Sequence, residues 1–268
     1  MAALSPWRSD RPGTAACESP PRVWARPSGL KNACSSHASQ AIPVTYRVDT
    51  KDPVVFITID DGIVTSQAGL DYVEKHRIPI TSFLTSSQVT ESKVRYFERI
   101  SRWGSVQNHT TTHASLATSD ASLIQSQVCP VQVDFRRTFG TKPWMLRPPY
   151  GAGPDGHTLH QVVRRCHITD IVMWDTVVEQ GRISYRYGDG LKPGSVILLH
   201  YSATLAVDLK VAVSAARALS QASRSRVQDK DFDQESKSLT DSHMLNQAAQ
   251  AMLARAEQWA QHVMQLLQ

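Results

Sequence analysis

The sequence predicts an α/β fold in which parallel strands alternate with helices. Apolar runs alternate with segments of helical periodicity between residues 54 and 222. Four polar clusters follow directly after apolar runs, namely Asp60–Asp61, His109, Arg147 and His200. Barrels and open doubly wound sheets both collect their sites at the carboxyl ends of parallel strands. This coincidence predicts the fold class and the place of the site, and it leaves barrel and open sheet as alternatives.

The predicted elements follow one another along the chain. A short lead-in strand is expected within residues 45–48. β-Favouring runs predict the strands Val54–Ile59, Ile80–Leu84, Ser105–Asn108, Trp144–Leu146, Ile168–Trp174 and Val196–Leu199. Apolar residues at helical spacing predict the helices Ser66–His76, Ser92–Trp103, Ser119–Thr138, Asp155–Cys166 and Leu205–Ala222. Pro130 is expected to kink the third of these helices.

Composition divides the 268 residues into four parts. Residues 1–45 are rich in Pro, Ser, Ala and Arg and predict a disordered leader. Residues 46–222 carry the α/β pattern, and residues 223–241 read as a polar linker. Residues 242–268 predict an amphipathic helix. We expect this helix to dock on the domain, and a homo-oligomer or partner contact is the alternative.

The charge distribution argues against a nucleic-acid partner. The formal net charge is +5, but residues 1–47 hold six Lys or Arg against Asp10 and Glu18 and supply most of the excess. No apolar run approaches the roughly 18 residues that span a membrane. The first residues lack the pattern of a signal peptide, so the sequence as written does not predict export.

The cysteines predict no cross-link and no metal–thiolate site. Cys17, Cys34, Cys129 and Cys166 form no C-x-x-C pair, and two of them lie in the leader. We therefore expect free and mostly buried thiols.

An acidic doublet ends the first predicted strand. Asp60 and Asp61 precede Gly62, and neighbouring side chains on a strand point to opposite faces. The two carboxylates can therefore have different roles, one as a metal ligand and the other as a proton-transfer group. Asp-Asp-Gly is also a common turn sequence. The doublet therefore indicates a functional site only if the chain supplies partner residues elsewhere.

Two histidines supply such partners. His109 and His113 are four residues apart, a spacing that on a helical turn directs both imidazoles to one ion. Two imidazoles and one carboxylate make a three-ligand set typical of catalytic zinc. His157 and His160 have a similar spacing without an acidic partner, and we expect them on the surface.

Two further segments end predicted strands. Pro148 and Pro149 stiffen the loop that follows Arg147 and leads to Tyr150, whereas an ordinary turn with a surface arginine is the alternative. His200 ends a buried run, where a hydrogen-bonded core histidine is the alternative.

In this order, the four segments resemble the polysaccharide deacetylase family of carbohydrate esterases. Residues 57–62 are similar to its Thr-Phe-Asp-Asp-Gly motif, and residues 108–113 to its His-Ser/Thr-x-x-x-His motif. Residues 147–150 match Arg-x-Pro-Tyr, and residues 198–200 match Leu-x-His. The resemblance covers residues 54–200 and implies a distorted (β/α) barrel that hydrolyses the N-acetyl group of an amino sugar in a polysaccharide or oligosaccharide.

The resemblance also implies a role for each site residue. Its three metal ligands would be Asp61, His109 and His113, holding one divalent ion, with Zn²⁺ expected and Co²⁺ as the alternative. Its proton-transfer groups would be Asp60 as general base, oriented and kept ionised by Arg147, and His200 as general acid. Its substrate side would be formed by the backbone N–H of Tyr150, which stabilises the oxyanion, and by Leu198 and Trp174.

One family feature is missing from the sequence. The family normally supplies an Asp-Trp pair that tunes the catalytic histidine, but no such pair follows Trp174. Asp175 and Glu179 are the nearby carboxylates, and the sequence does not choose between them.

The motifs leave three functions open. The first is a metal-dependent deacetylase of an N-acetylated glycan. The second is a metal-dependent amidase or imidase of non-sugar linear or cyclic amides on the same scaffold, and the third is a non-catalytic carbohydrate-binding relative. The resemblance implies the cell envelope or the extracellular space, although the sequence shows no signal peptide.

Overall fold

A single sheet organises residues 41–225, the part of the chain that the computed structural model describes. Its strands are β1 (Val44–Thr45), β2 (Phe56–Asp61), β3 (Ile80–Leu84), β4 (Gly104–Asn108), β5 (Met145–Leu146), β6 (Asp170–Val172), β7 (Thr176–Glu179), β8 (Arg182–Tyr185) and β9 (Val196–His200). They are arranged in the order β1-β6-β5-β4-β3-β2-β9-β7-β8. Only the β7–β8 pair is antiparallel. The α/β fold class predicted from the sequence is therefore confirmed.

The sheet curves toward a barrel. Arg47, which follows the edge strand β1, forms an antiparallel bridge with Ser195, which precedes β9 near the other edge. The amide of Val48 also donates to the carbonyl of Gly194 at 2.9 Å. These contacts join two segments that lie far apart in the strand order, so the sheet is bent into a distorted barrel.

Four helices connect the parallel strands, and their ends follow local capping rules. They are α1 (Gln67–His76), α2 (Glu91–Ser101), α3 (Ala121–Phe139) and α4 (His157–Arg165). Ser66 caps α1 by accepting from the amide of Gly69, and Asp120 caps α3 by accepting from two amides of its first turn. Helix α3 continues through Pro130, so the predicted kink does not end it.

The core lies between the helices and the sheet. Parallel strands covered on both faces read as continuous apolar runs, and Ile57, Ile59, Ile197 and Leu199 are all buried. A further helix begins at residue 205 and is described to residue 225. The chain divides after Arg217 into two units, and only the first eight residues of the second unit are described.

Sequence reasoning missed a β-hairpin. The predicted strand Ile168–Trp174 is shorter in the structure, where β6 is Asp170–Val172, and the chain then forms β7 and β8. A two-residue turn, Gln180–Gly181, joins these strands, and both of its residues have positive φ. The hairpin escaped notice because neither short strand stands out as an apolar run.

The structure corrects the expectation of free thiols. Cys129 on α3 and Cys166 at the end of α4 form a disulfide, with Cα atoms 4.8 Å apart. The two cysteines are 37 residues apart in sequence, and only the packing of α3 against α4 brings them together. Cys17 and Cys34 lie outside the described residues.

A second correction concerns His160, which we expected on the surface. Its side chain is buried, its Nδ1 accepts from the amide of Ile42 at 2.9 Å, and its Nε2 contacts the carbonyl of Pro154 at 2.8 Å. His160 thus ties the entry of the domain to α4, whereas His157 is exposed as predicted.

Residues 1–40 and 226–268 lie outside the described part of the chain. They contain most of the predicted leader and linker and the whole C-terminal helix. Among residues 41–225, no helix is both long and apolar enough to cross a membrane.

Candidate active site

One cleft at the carboxyl ends of the strands contains nearly all of the predicted site residues. It has a volume of about 590 Å³. The residues predicted to act in metal binding, catalysis or substrate binding that line it are Asp60, Asp61, His109, His113, Tyr150, Trp174, Leu198 and His200. Arg147 does not line the cleft, because its side chain is fully buried beneath it.

Both acids of the doublet face this cleft, which corrects the expectation that they point to opposite faces. Asp61 has a φ of 77°, so the chain leaves the extended conformation at this residue and turns the side chain back toward the cleft. Its Oδ1 lies 3.2 Å from Nε2 of His109 and 3.1 Å from Nε2 of His113. Oδ2 of Asp60 lies 3.9 Å from Nε2 of His109. The doublet is therefore one half of a single cluster.

The sequence suggested that the two histidines lie on a helical turn, but the structure does not place them on one. Residues 109–113 form a loop in which Thr110 and His113 have φ values of 70° and 62°. The rings still converge, with centroids 4.9 Å apart. The two imidazole rings therefore converge because of left-handed backbone conformations, and not because of helical spacing.

Gln127 on α3 holds this loop and was not singled out in the sequence. Its side-chain Oε1 accepts from the amide of Thr112 at 3.0 Å, and its carbonyl accepts from the amide of Thr111 at 2.8 Å. The side-chain Oδ1 of Asn108 also accepts a hydrogen bond from the amide of Thr110. A buried glutamine facing a loop 15 residues earlier leaves no pattern in the sequence.

The donor atoms of the cluster suit a metal ion. One atom from each of Asp61, His109 and His113 lies within 4.8 Å of the others. Nδ1 of His109 donates to the carbonyl of Arg147 at 2.8 Å, so the Nε2 of the neutral ring carries a lone pair. It faces Oδ1 of Asp61, which is buried without a hydrogen-bond partner in the described chain. Two acceptors this close are favourable only with a cation or proton between them, so the residues fit a divalent ion.

The electrostatics of the cluster favour its metal-binding protonation state. Burial alone raises the pKa of Asp61, but the close imidazole of His109, together with those of His200 and His113, outweighs burial and lowers that pKa. Burial, aided by the neighbouring His109, lowers the pKa of His113 below its ordinary value. The carboxylate therefore stays ionised and the imidazole of His113 neutral at neutral pH.

Arg147 forms the buried support of the site. Its Nη1 donates to Oδ1 of Asp60 at 2.6 Å and to Oγ1 of Thr58 at 2.8 Å. Its Nε and Nη2 donate to the carbonyls of Val172 and Met173 at 2.9 and 3.0 Å. Burial lowers the pKa of Arg147, and the charge of Asp60 opposes that shift. These bonds fix the Asp60 carboxylate, since a planar guanidinium offers all its donors in a rigid array.

One side of the cleft contains aromatic and apolar side chains. Tyr150 lies in a short 3₁₀ turn, Pro149–Gly151, where its φ is 61°. Its ring packs edge-on against His113 at 4.7 Å between centroids. Leu198 is buried in the strand that ends at His200, and the ring of Trp174 lies 5.6 Å from the guanidinium of Arg147.

His200 has the weakest support of the predicted residues. Its Nδ1 is buried and has no hydrogen-bond partner in residues 41–225. Asp175 is not available as that partner, because its two oxygens accept from Ser195, Thr176 and the amide of Val196. Glu179, at the end of β7, does line the cleft, although its side chain is exposed. Of the two carboxylates left open by the sequence, only Glu179 shares the cleft with His200.

Two parts of the chain match known protein families. The family model for polysaccharide deacetylase matches residues 47–170, and the model for the bacterial flagellin C-terminal helical region matches residues 210–267. Most of the second match lies outside the described residues.

Two curated relatives share the domain. An uncharacterised protein of Streptomyces coelicolor is 35% identical over 158 residues, covering 58% of this chain and 62% of that protein. The peptidoglycan-N-acetylmuramic acid deacetylase PdaC of Bacillus subtilis is 24% identical over 185 residues, covering 64% of this chain and 37% of that protein. The chain thus spans less than two thirds of these relatives.

The fold has solved counterparts. A mutant of a carbohydrate esterase family 4 pseudoenzyme from Bacillus anthracis, with restored enzymatic activity, superposes with a TM-score of 0.55 at 20% identity. The match covers 67% of this chain and 68% of that one. It confirms the expected distorted (β/α) barrel.

Proposed function

We propose that this chain, whose residues 47–170 belong to the polysaccharide deacetylase family, is a metal-dependent hydrolase that removes N-acetyl groups from peptidoglycan. The relative PdaC is named as a deacetylase of this polymer, which supports the substrate class. The chemistry is hydrolysis of a carbon–nitrogen amide bond that is not a peptide bond.

One observation carries the proposal, namely that a three-donor cluster lies beside a buried carboxylate–guanidinium pair. Asp61, His109 and His113 present converging donor atoms. Asp60, held at 2.6 Å by Arg147, lies at the edge of that cluster. A cation site next to a fixed base is the arrangement that activates water against an amide.

The residues divide the reaction between them. When bound by Asp61, His109 and His113, a divalent ion, for which we propose Zn²⁺, supplies Lewis-acid polarisation of the amide carbonyl. Asp60 takes a proton from the attacking water, and Arg147 keeps its carboxylate in position. The backbone N–H of Tyr150 donates to the oxyanion. His200 gives a proton to the departing amine, while Leu198 and Trp174 enclose the acetyl group.

The disulfide supports a substrate outside the cytosol. Disulfides persist in oxidising compartments and are rare in reducing ones. The Cys129–Cys166 bond therefore agrees with a polymer of the cell envelope as substrate.

The direct test is acetate release from purified peptidoglycan and from N-acetylglucosamine oligomers, with added Zn²⁺ or Co²⁺ and with a chelator. We expect release that stops on chelation and about one divalent ion per chain by elemental analysis. A folded protein that binds no ion would refute the proposal. Release of ammonia or amine from simple linear or cyclic amides, without acetate from any glycan, would favour an amidase instead.

A second candidate function is glycan binding without catalysis. The observation in its favour is His200, whose Nδ1 lacks the carboxylate partner that the family pattern supplies. A protein that binds peptidoglycan and one metal ion but releases no acetate would establish it.

A further inference from the structure

Pro130 lies inside helix α3, and the proposed chemistry does not use it. A proline in a helix interior has no amide to donate to the carbonyl four residues earlier, and its ring pushes that carbonyl outward. Proline is therefore the least favourable residue at such a position. The side chain of Pro130 is exposed, so packing offsets little of this cost. The carbonyl that the proline leaves without a helical donor belongs to Ser126.

Three successive carbonyls of this turn accept hydrogen bonds from the segment that carries the two histidines. The carbonyl of Ser126 accepts from Oγ1 of Thr111 at 3.3 Å. The carbonyl of Gln127 accepts from the amide and from Oγ1 of Thr111 at 2.8 and 3.0 Å. The carbonyl of Val128 accepts from Nδ2 of Asn108 at 2.9 Å. In a regular helix these carbonyls would point along the axis toward the amides of the next turn.

The loop of residues 109–113 needs support from outside itself. Thr110 and His113 have φ values of 70° and 62°, a left-handed conformation that is unfavourable for residues other than glycine. Such a conformation persists only when the surrounding structure holds the backbone in place. His109 and His113 stand at the two ends of this loop, so the position of Thr111 affects the distance between the two imidazoles.

Residues 126–130, which we call the open turn, are also attached to a second helix. Cys129 directly precedes Pro130, and its disulfide with Cys166 joins α3 to the end of α4. Val128 is fully buried in a core cluster that α3 shares with α4. The open turn is thus fixed to α4 while its carbonyls bind the histidine loop.

We propose that Pro130 is a positioning residue for the metal site, because it opens α3 so that the helix binds the loop between the two histidines. The inference rests on the metal site of the proposed function and adds a residue that contacts neither the ion nor the substrate. A proline with a merely structural role would have a different signature. Its replacement by alanine would stabilise the helix and leave metal binding unchanged.

The test is Pro130→Ala, studied by titration calorimetry with Zn²⁺ and by urea unfolding with EDTA. Alanine restores the amide at residue 130, which draws the carbonyl of Ser126 back into the helix. We expect the Zn²⁺ dissociation constant to rise about tenfold, as when ligand support is lost, although the urea midpoint rises. Val133→Ala is the matched control, because Val133 is 67% exposed on the same helix and alanine favours the helix there too. It should leave the dissociation constant unchanged.

Thr111→Val completes a double-variant cycle. It removes the hydroxyl that donates to the open turn, and by itself it should raise the Zn²⁺ dissociation constant. Added to Pro130→Ala, it should raise that constant much less, because the two changes remove the same contact. Effects that multiply in full, or an unchanged dissociation constant in Pro130→Ala, would overturn the inference whatever happens to the urea midpoint.

Hydrogen exchange separates the inference from the proposed function. The amides of Thr111 and Thr112 both donate to Gln127, so with EDTA present their exchange should quicken in Pro130→Ala and not in Val133→Ala. If the wild-type protein bound no ion, the proposed function would fail, and this measurement alone would decide the inference. Equal exchange of the two amides in the wild type and in Pro130→Ala would overturn it.

Discussion

Two corners of the cleft differ in how firmly their ionisable groups are held. In the metal corner, formed by Asp60, Asp61, His109, His113 and Arg147, the ring of His109 and the carboxylate of Asp60 are each fixed by a buried hydrogen bond. In the His200 corner, formed by His200 and Glu179, the buried Nδ1 of His200 has no partner among the described residues.

The contrast shows where the chain keeps the family pattern and where it departs from it. The metal corner keeps the two aspartates, the two histidines and the arginine of the motifs, together with supporting bonds from Gln127 and Asn108. The His200 corner lacks the Asp-Trp pair, and the orphaned Nδ1 is the structural counterpart of that gap. The proposed metal site is thus better organised than the proposed proton donor.

The largest expected effect is on catalysis by the metal corner. Asp60→Asn keeps the size of the side chain but cannot take a proton, so acetate release should fall by about 10²- to 10⁴-fold. Metal content should stay near that of the wild type, because Asp60 is not one of the three converging ligands. Wild-type turnover in this variant would exclude Asp60 as the base.

Arg147 should dominate the stability of the same corner. Arg147→Met leaves the Asp60 carboxylate buried and unpaired, and we expect a loss of about 3–5 kcal/mol in the free energy of unfolding measured with urea. The double variant with Asp60→Asn removes the stranded charge and should recover part of the loss. A double variant no more stable than Arg147→Met would contradict this account. The exposed Arg137–Asp134 pair is the control, and Arg137→Met should change stability little.

Gln127 tests whether support from outside the ligand set matters. Gln127→Ala removes the acceptor for the amide of Thr112, and we expect the metal dissociation constant to rise about 10- to 100-fold by titration calorimetry. Gln132 on the same helix is the matched control, because it is also buried but its side chain has no partner in the described residues. Equal metal affinities in the Gln127 and Gln132 variants would show that the loop of residues 109–113 does not need Gln127 for its position.

When a chelator removes the metal ion, the stability of the protein should depend on pH because of the metal corner. His113 has a folded-state pKa below its ordinary value of 6.5, so the unfolded chain binds more protons as the pH falls through 6.5. Stability is then fully present above pH 6.5 and declines below it, and Asp61, whose pKa is also lowered, extends the decline below pH 3.8. Urea midpoints measured with EDTA between pH 8 and pH 5 should show this slope. The slope should shrink in His113→Gln, and an unchanged slope would refute the assignment.

The smallest effect is expected for Glu179 in the His200 corner. Glu179 is exposed, so solvent would screen its charge from His200, and Glu179→Gln should lower kcat by less than about tenfold. His200→Asn, which removes the proton donor itself, should lower it by about 10²-fold or more. If both variants lost equal activity, Glu179 would be the missing partner, and the two corners would no longer differ.

The sequence anticipated much of the site because each motif is local. A strand followed by a carboxylate, a histidine or an arginine places that residue at one sheet edge whatever the rest of the chain does. The bounds of β3 were predicted to the residue, and most other elements differ by one to three residues. The failures concern Cys129, Cys166, His160 and Gln127, whose environments depend on contacts between distant segments.

By itself, the sequence determined the alternation of strands and helices, the ends of the strands at which the polar groups lie, and the identities of those groups. Only the tertiary structure decided how they face one another. The positive φ of Asp61 and His113, the proton on Nδ1 of His109 and the burial of Arg147 arise from backbone turns and long-range packing. The physical reason is that residue order fixes local periodicity, whereas the orientation of a side chain depends on neighbours that only folding supplies.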